Sequence, residues 1–126
     1  MKVVVVDDDT AVRLILQRML VNKLRCEVIE AKDGEEGLAV IRKTSPDLVL
    51  LDVYLPKRDG LGVLEAIRAD PLTASVAVVV LSAAKEKEIV LKLVGLGIKD
   101  YLLKPLDFEK TLRKLSAIIA KVKVVH

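Results

Sequence analysis

The sequence predicts an α/β fold in which a five-stranded parallel sheet carries helices on both faces. Short apolar runs alternate five times along the chain with longer segments whose apolar residues recur at helical spacing. The first, third and fourth of these runs are continuously apolar, which is typical of parallel strands that are buried on both faces. Strands that alternate with helices in this way indicate a parallel sheet covered on both sides.

Each element has its own signal in the sequence. The predicted strands cover residues 3–6, 27–31, 47–52, 76–81 and 100–103. The second strand alternates apolar and polar residues, so we expect it at an edge of the sheet. The predicted helices run from Thr10 to about Lys23, from the turn at Asp33-Gly34 to Ser45-Pro46, over residues 61–69, over residues 86–96, and onward from Phe108.

The composition is that of one globular domain, and we expect that domain to cover residues 1–126 with no further domain. The hydrophobic content of 52% beside 31% charged residues is sufficient for a single core. The net charge of +3 and the aromatic content of 2% argue against direct binding of nucleic acid. No apolar run is long enough for a membrane span, and one cysteine, Cys26, excludes an intrachain disulfide. We therefore expect a cytoplasmic protein in which Cys26 is a core residue of a strand.

Polar side chains gather at the carboxyl ends of four of the predicted strands. They are Asp7, Asp8 and Asp9 after the first strand, Asp52 at the end of the third, Ser82 after the fourth and Lys104 after the fifth. Parallel strands bring these ends to one edge of the sheet, so the sequence predicts an acidic pocket with one hydroxyl and one ammonium. Carboxylates favour Mg²⁺, and the other two groups suit an anion that arrives with the metal. This set of groups indicates phosphoryl transfer to an aspartate, with Asp9 best explained as a helix cap.

The same motifs resemble those of a response-regulator receiver domain of two-component signalling, and the resemblance covers nearly the whole chain. The matching residues are the pair Asp7 and Asp8, Asp52 followed by Pro56 and Gly60, Ser82 followed by Ala83, and Lys104-Pro105. The resemblance implies a (βα)5 flavodoxin-like fold with the strand order 2-1-3-4-5. It also implies a partner that supplies the phosphoryl group, either a sensor histidine kinase or a phosphotransfer protein.

The resemblance further implies which acidic residue accepts the phosphoryl group and which residues bind the metal. Asp52 is the expected phosphoacceptor and also a ligand of Mg²⁺. Asp8 is expected to bind the metal directly, Asp7 mostly through a metal-bound water, and Tyr54 through its backbone carbonyl. The chain would be mainly a signalling domain, with self-phosphorylation and slow autodephosphorylation as its own activities.

Three further roles follow from the resemblance. Lys104 is expected to pair with one phosphoryl oxygen, and Ser82 is expected to swing toward another. Tyr101 matches the aromatic residue that changes rotamer on activation, so Ser82 and Tyr101 are the expected switch residues. The peptide bond between Lys104 and Pro105 is expected to be cis, an isomer that a bond to proline permits.

The fourth helix has more apolar residues than one core-facing stripe requires. They are Ile89, Val90, Leu91, Leu93, Val94 and Leu96. Some of these side chains should therefore be exposed, and exposed apolar patches often mark partner sites. We expect the fourth helix, the fifth strand and the fifth helix to form the face for a homodimer or an effector, as in many receivers.

Two other functions remain open from the residues alone. Haloacid-dehalogenase-type phosphatases carry Asp-x-Asp-x-(Thr/Val) after the first strand, which the segment from Asp7 to Ala11 nearly fits, with Asp7 as the nucleophile. That interpretation leaves Asp52, Pro56 and Gly60 unexplained. A flavodoxin-like module for a flavin would need a phosphate cradle in the first loop, where three carboxylates would instead repel the cofactor.

Overall fold

A single parallel sheet organises the molecule. The computed structural model describes residues 1–83 and 87–122. Its strands are β1 (Lys2–Val6), β2 (Glu27–Ala31), β3 (Leu48–Asp52), β4 (Ala77–Ser82) and β5 (Asp100–Leu103), and they lie in the order β2-β1-β3-β4-β5. The helices are α1 (Thr10–Arg18), α2 (Gly34–Thr44), α3 (Gly60–Ala69), α4 (Lys87–Gly95) and α5 (Phe108–Lys121). The predicted fold class, strand order and edge position of the second strand are confirmed.

The apolar strands are buried because both faces of the sheet are covered. The four valines of β1 have no exposed surface, and they alternate between two hydrophobic cores. Val4 and Val6 pack in the core beneath α2 and α3, whereas Val3 and Val5 pack in the core beneath α1 and α5. Burial on both sides explains why these strands read as continuous apolar runs.

The first helix differs from its prediction in its last turn. The predicted helix from Thr10 to about Lys23 is α-helical only as far as Arg18 and continues as a π-helical segment, Met19–Lys23. The amide of Leu24 donates to the carbonyl oxygen of Met19, five residues earlier. Met19 and Leu20, the first two residues of this segment, are both buried in the core beneath α1 and α5.

Several boundaries differ from prediction by one residue or a few. The fourth strand starts at Ala77, one residue later than predicted, so Ser82 is its last residue. Cys26 is buried as expected, but it lies just before β2 and not within a strand. Glu86, the predicted start of the fourth helix, lies outside the described residues.

One arginine side chain joins the end of α3, the segment before β4 and the segment after α4. The guanidinium of Arg68, near the end of α3, donates to the carbonyl oxygens of Ala74 and Val76 in the segment before β4. It also donates to the carbonyl oxygens of Leu96 and Gly97 at 2.7 and 3.2 Å, just beyond α4. Burial lowers the pKa of the Arg68 guanidinium from its ordinary high value. The end of α4 is therefore tied to α3 and to the start of β4.

Aspartates cap four of the helices. Asp9, Asp33, Asp59 and Asp107 each accept hydrogen bonds from backbone amides of the first turn that follows. The interpretation of Asp9 as a cap is confirmed, since its carboxylate accepts from the amides of Ala11 and Val12. Among the described residues no helix is both long and apolar enough to cross a membrane.

Candidate functional site

The register of the sheet brings two acidic residues together. Val6 of β1 pairs with Leu51 of β3, so Asp7 and Asp52 come next to each other at the carboxyl edge of the sheet. Both are buried, with 0% and 4% of their surface exposed. The amide of Asp7 donates to the carbonyl oxygen of Ala31, which holds the first acidic loop against β2.

Lys104 lies between these two carboxylates. Its ammonium nitrogen, Nζ, is 2.7 Å from Oδ2 of Asp7 and 3.0 Å from Oδ2 of Asp52. The side chain follows β5, whose last residue Leu103 pairs with Ser82 of β4. The sheet therefore places the Lys104 ammonium, which follows β5, between an acidic residue after β1 and another at the end of β3.

Burial and charge set the protonation of this cluster. Loss of solvent raises the pKa of the Asp52 carboxyl, and the negative charge of Asp7 adds to that rise, although the hydrogen bond from Lys104 opposes it. Burial alone would lower the pKa of Lys104, but its contacts with Asp7 and Asp52 outweigh burial and raise it. The ammonium is thus held in its charged form while Asp52 accepts a proton more readily than an exposed aspartate does.

The donor set fits a divalent cation. Asp7, Asp8 and Asp52 each offer one carboxylate oxygen, and these oxygens lie within 4.8 Å of one another. Oδ2 of Asp7 is buried, and among the described residues it makes no well-formed hydrogen bond, although the Lys104 ammonium lies close to it. Asp8 is exposed, which leaves a solvent side from which waters can complete an octahedral shell. All-oxygen donors of this kind suit Mg²⁺ or Mn²⁺.

The loop after β3 packs tightly against the backbone of Asp52. The amide of Gly60 donates to the carbonyl oxygen of Val53, and a Cβ atom added to Gly60 would lie 2.0 Å from the carbonyl oxygen of Asp52. Only glycine fits there. Tyr54 is half exposed, and its amide donates to Oδ1 of Asp52 at 3.3 Å. This contact leaves Oδ2 facing Lys104.

The remaining predicted site residues lie around the same edge. Ser82 is fully buried at the end of β4, and Tyr101 is half-buried in β5, packed against the core beneath α2 and α3. The peptide bond between Lys104 and Pro105 is cis. The sheet thus brings Ser82 and Lys104 to the strand ends beside Asp7 and Asp52, with Tyr101 two residues before the end of β5.

Sequence reasoning missed Arg13. Its Nη1 donates to the carbonyl oxygen of Asp7 at 2.6 Å, and its Nε lies 3.2 Å from Oε1 of Glu30. The side chain is mostly buried, at 15% exposure. Its partner in the site is a backbone carbonyl, which every residue possesses, so no side-chain pattern in the sequence signals the contact.

The predicted exposure of apolar residues on the fourth helix is confirmed. Leu91 and Val94 of α4 are each 60% exposed, and Leu103 of β5 is 51% exposed. Phe108, the first residue of α5, is 42% exposed. These four residues, the α4–β5–α5 patch, form an apolar surface that other elements of the described chain do not cover.

Comparisons with known proteins point in one direction. A family model described as response regulator receiver domain matches residues 3–116. A relative named "Probable C4-dicarboxylate response regulator DctR", from Bacillus subtilis, is 40% identical over 110 residues, covering 86% of this chain and 48% of that protein. A relative named "Probable chemotaxis protein CheY", from Rhizobium etli, is 33% identical over 122 residues, covering 97% of this chain and 95% of that protein.

A solved structure agrees in fold. The Mn²⁺-bound form of the response regulator Rcp1 has a TM-score of 0.81 and 26% identity, covering 99% of this chain and 96% of that one. The chain spans about half the length of the first relative, at 48%. These comparisons support neither the haloacid-dehalogenase-type phosphatase nor the flavin-binding module.

Proposed function

Because this chain belongs to the family of response regulator receiver domains of two-component systems, we propose that Asp52 is its phosphoacceptor. The donor is the phosphohistidine of a sensor histidine kinase or of a phosphotransfer protein. The observation that carries the proposal is the buried cluster in which the Lys104 ammonium lies 3.0 Å from Asp52 and 2.7 Å from Asp7. An acceptor carboxylate, a cation partner and a second carboxylate thus occupy one edge of the sheet.

Asp7, Asp8, Asp52 and the backbone carbonyl of Tyr54 hold the metal in this proposal, and the metal is Mg²⁺. The carboxylate oxygens within 4.8 Å of one another support it, as does the Mn²⁺-bound form of the relative Rcp1. When bound, Mg²⁺ neutralises carboxylate charge and draws the oxygens of a phosphoryl group into the pocket.

The chain's own residues then position the transfer. An oxygen of the Asp52 carboxylate attacks phosphorus as the bond from phosphorus to the imidazole nitrogen of the donor breaks, and that nitrogen keeps the bonding electron pair. The Lys104 ammonium turns from the carboxylates to a phosphoryl oxygen, and the Ser82 hydroxyl donates a hydrogen bond to another phosphoryl oxygen. A water in the same pocket later attacks phosphorus, the bond from phosphorus to the Asp52 oxygen breaks, and inorganic phosphate and the free carboxylate result, which gives slow autodephosphorylation.

Phosphorylation of Asp52 changes the conformation of the α4–β5–α5 patch, where a partner binds. A hydrogen bond to a charged group contributes about 1.5–3 kcal/mol, and typical allosteric couplings are about 1–3 kcal/mol. One or two new bonds at Ser82 and Lys104 are therefore sufficient to bias a two-state element. Ser82 and Tyr101 lie on β4 and β5, which lead directly to that patch, and a second copy of the chain or an effector binds it.

Labelling by a small phosphodonor tests this proposal. Acetyl phosphate with Mg²⁺ should label the wild-type chain on Asp52, and the site is mapped by mass spectrometry. The Asp52→Asn variant should take up no label, because an amide cannot act as the nucleophile. Asp8→Ala should bind Mg²⁺ more weakly and label more slowly.

A matched control separates chemistry from charge. Asp9→Asn removes one carboxylate from the same loop and keeps a good helix cap, so its labelling should equal that of wild type. Label on Asp7 in the Asp52→Asn variant would contradict the proposal, because a nucleophile at Asp7 belongs to the phosphatase interpretation.

A further inference from the structure

Asp7 is held in place through each of its polar groups. Its amide donates to Ala31, its Oδ1 accepts from the amide of Asp9 at 2.8 Å, and its Oδ2 lies against Lys104. The fourth group, the carbonyl oxygen, accepts from Nη1 of Arg13 at 2.6 Å. That last bond reaches the loop from a helix and not from the sheet.

The carbonyl of Asp7 belongs to the peptide that joins Asp7 to Asp8. A hydrogen bond from the rigid, mostly buried guanidinium of Arg13 therefore fixes the plane of that peptide. Asp8 is exposed, and Oδ1 of Asp7 already accepts from the amide of Asp9. The direction in which the Asp8 carboxylate leaves the backbone thus depends on the peptide that Arg13 holds.

The guanidinium brings an electrostatic cost for a cation site. The positive guanidinium contacts the backbone of Asp7 and therefore repels a divalent cation bound nearby. The repulsion is appreciable because charges near a protein surface interact through a moderate dielectric. Glu30 lies 3.2 Å from Nε of Arg13 and compensates that charge. Arg13 can then supply its hydrogen bond while the pair of Arg13 and Glu30 adds no net charge beside the site.

We propose that Arg13 is a positioning residue for the divalent-cation site and that Glu30 is the counter-charge on which its role depends. The inference rests on the proposed metal site. Groups that orient metal ligands without touching the metal commonly change metal affinity by about 10–100-fold when they are removed. The chain therefore carries a polar pair, one residue on α1 and one on β2, that sets how tightly its acidic pocket binds a divalent cation.

Mn²⁺ titration tests the inference without any phosphoryl transfer. Electron paramagnetic resonance of free Mn²⁺ gives the dissociation constant for the full chain. The double variant Arg13→Met with Glu30→Gln removes one positive and one negative charge, so its affinity reports on geometry. We expect it to bind Mn²⁺ about tenfold more weakly than wild type, and Arg13→Lys to recover part of the loss.

The single variant Glu30→Gln separates the charge effect from the geometric one. It leaves the guanidinium uncompensated, so binding should weaken at low ionic strength and return toward wild type at high salt. The weaker Mn²⁺ binding of the double variant should persist at high salt. Arg42→Met, which breaks a pair with Asp70 on another face, serves as the control and should bind as wild type does.

The outcomes are distinct. Wild-type affinity in the double variant overturns the role of Arg13, and a salt-independent Glu30→Gln variant overturns the role of Glu30. A wild-type chain that binds no Mn²⁺ contradicts the proposed metal site itself, and the inference with it. Far-UV circular dichroism of each variant excludes loss of fold as the cause of weak binding.

Discussion

Lys104 acts in this structure as an internal cation for the acidic pair. Its ammonium lies within 3.0 Å of carboxylate oxygens from Asp7 and Asp52, and Asp7 has no exposed surface. A divalent cation that enters the same pocket would bind carboxylates that the ammonium already contacts. We therefore expect Lys104 to stabilise the metal-free pocket and to compete with the metal for it.

The Lys104→Met variant tests this competition. Breaking a buried ion pair by removing one partner costs about 3–5 kcal/mol, so the metal-free variant should unfold at lower urea concentration. Mg²⁺ should bind it more tightly than wild type and should restore more stability, whereas labelling by acetyl phosphate should slow. Urea unfolding with and without Mg²⁺ measures both effects.

The pH dependence of this prediction follows from the pKa of Lys104. Because the native contacts raise that pKa, the ammonium contributes its full stability below the ordinary lysine pKa of about 10.4 and loses it only as pH rises through the higher native value. The difference between wild type and Lys104→Met should therefore persist at neutral pH. Lys99→Met, an exposed substitution, is the control. Equal Mg²⁺ affinity in wild type and Lys104→Met would contradict the competition.

At this scale the sequence predicts side-chain chemistry better than it predicts contacts. Asp7, Asp52 and Lys104 could be found because polar residues at the ends of apolar strands are unusual and parallel strands share an edge. The bond from Arg13 to Asp7 and the bonds of Arg68 could not be found, because these bonds end on backbone carbonyls. A carbonyl has no residue type, so only the folded chain reveals such partners.

At the scale of elements, Arg68 decides how α4 is attached. Its guanidinium makes bonds to four carbonyl oxygens, two before β4 and two beyond α4. Hydrogen bonds from charged donors contribute about 1.5–3 kcal/mol each in favourable sites. Carbonyls near the surface regain water when the arginine is removed, which offsets much of that sum.

We expect Arg68→Met to lower the free energy of unfolding by about 2–3 kcal/mol, measured by urea unfolding at an unchanged m-value. Amide hydrogen exchange at Leu96 and Gly97 should quicken more than exchange in β1. Arg42→Met removes an exposed pair with Asp70 and should cost less than about 1 kcal/mol. Equal losses in the two variants would show that Arg68 is no special attachment.

Element boundaries were predictable where a capping or turn residue marks them, and less so elsewhere. Asp9, Asp33 and Asp59 mark three helix starts, because a side-chain oxygen satisfies free amides there. The π-helical segment Met19–Lys23 was predicted as ordinary helix. The sequence carries no sign of it, because the apolar residues up to Leu20 recur at ordinary helical spacing.

At the scale of the whole molecule, the α4–β5–α5 patch is a set of exposed apolar side chains on an otherwise largely polar set of elements. Its four residues lie on three consecutive elements and are 42–60% exposed. Removing a large apolar side chain from water contributes about 1.5–3 kcal/mol. Because each side chain is already partly buried, a second copy of this chain or an effector that covers the patch would gain only part of that contribution from each residue.

Light scattering tests the homodimer. With Mg²⁺ and a phosphoryl mimic such as beryllofluoride, the molar mass of the wild-type chain should double, and Leu91→Glu should remain monomeric. Leu72→Glu is a matched control, because Leu72 is 89% exposed but lies in the segment between α3 and β4. A wild-type chain that stays monomeric with and without the mimic would contradict the homodimer and leave an effector as the partner.

The attachment of α4 by Arg68 also has a mechanical consequence. A helix of nine residues, Lys87–Gly95, is about 13 Å long. With its far end held beside Leu96 and Gly97, a rotation of about 10° would move the Lys87 end by about 2 Å, given the 1.5 Å rise per residue. Such a rotation would displace the Lys87 end of α4 most and the end held by Arg68 least.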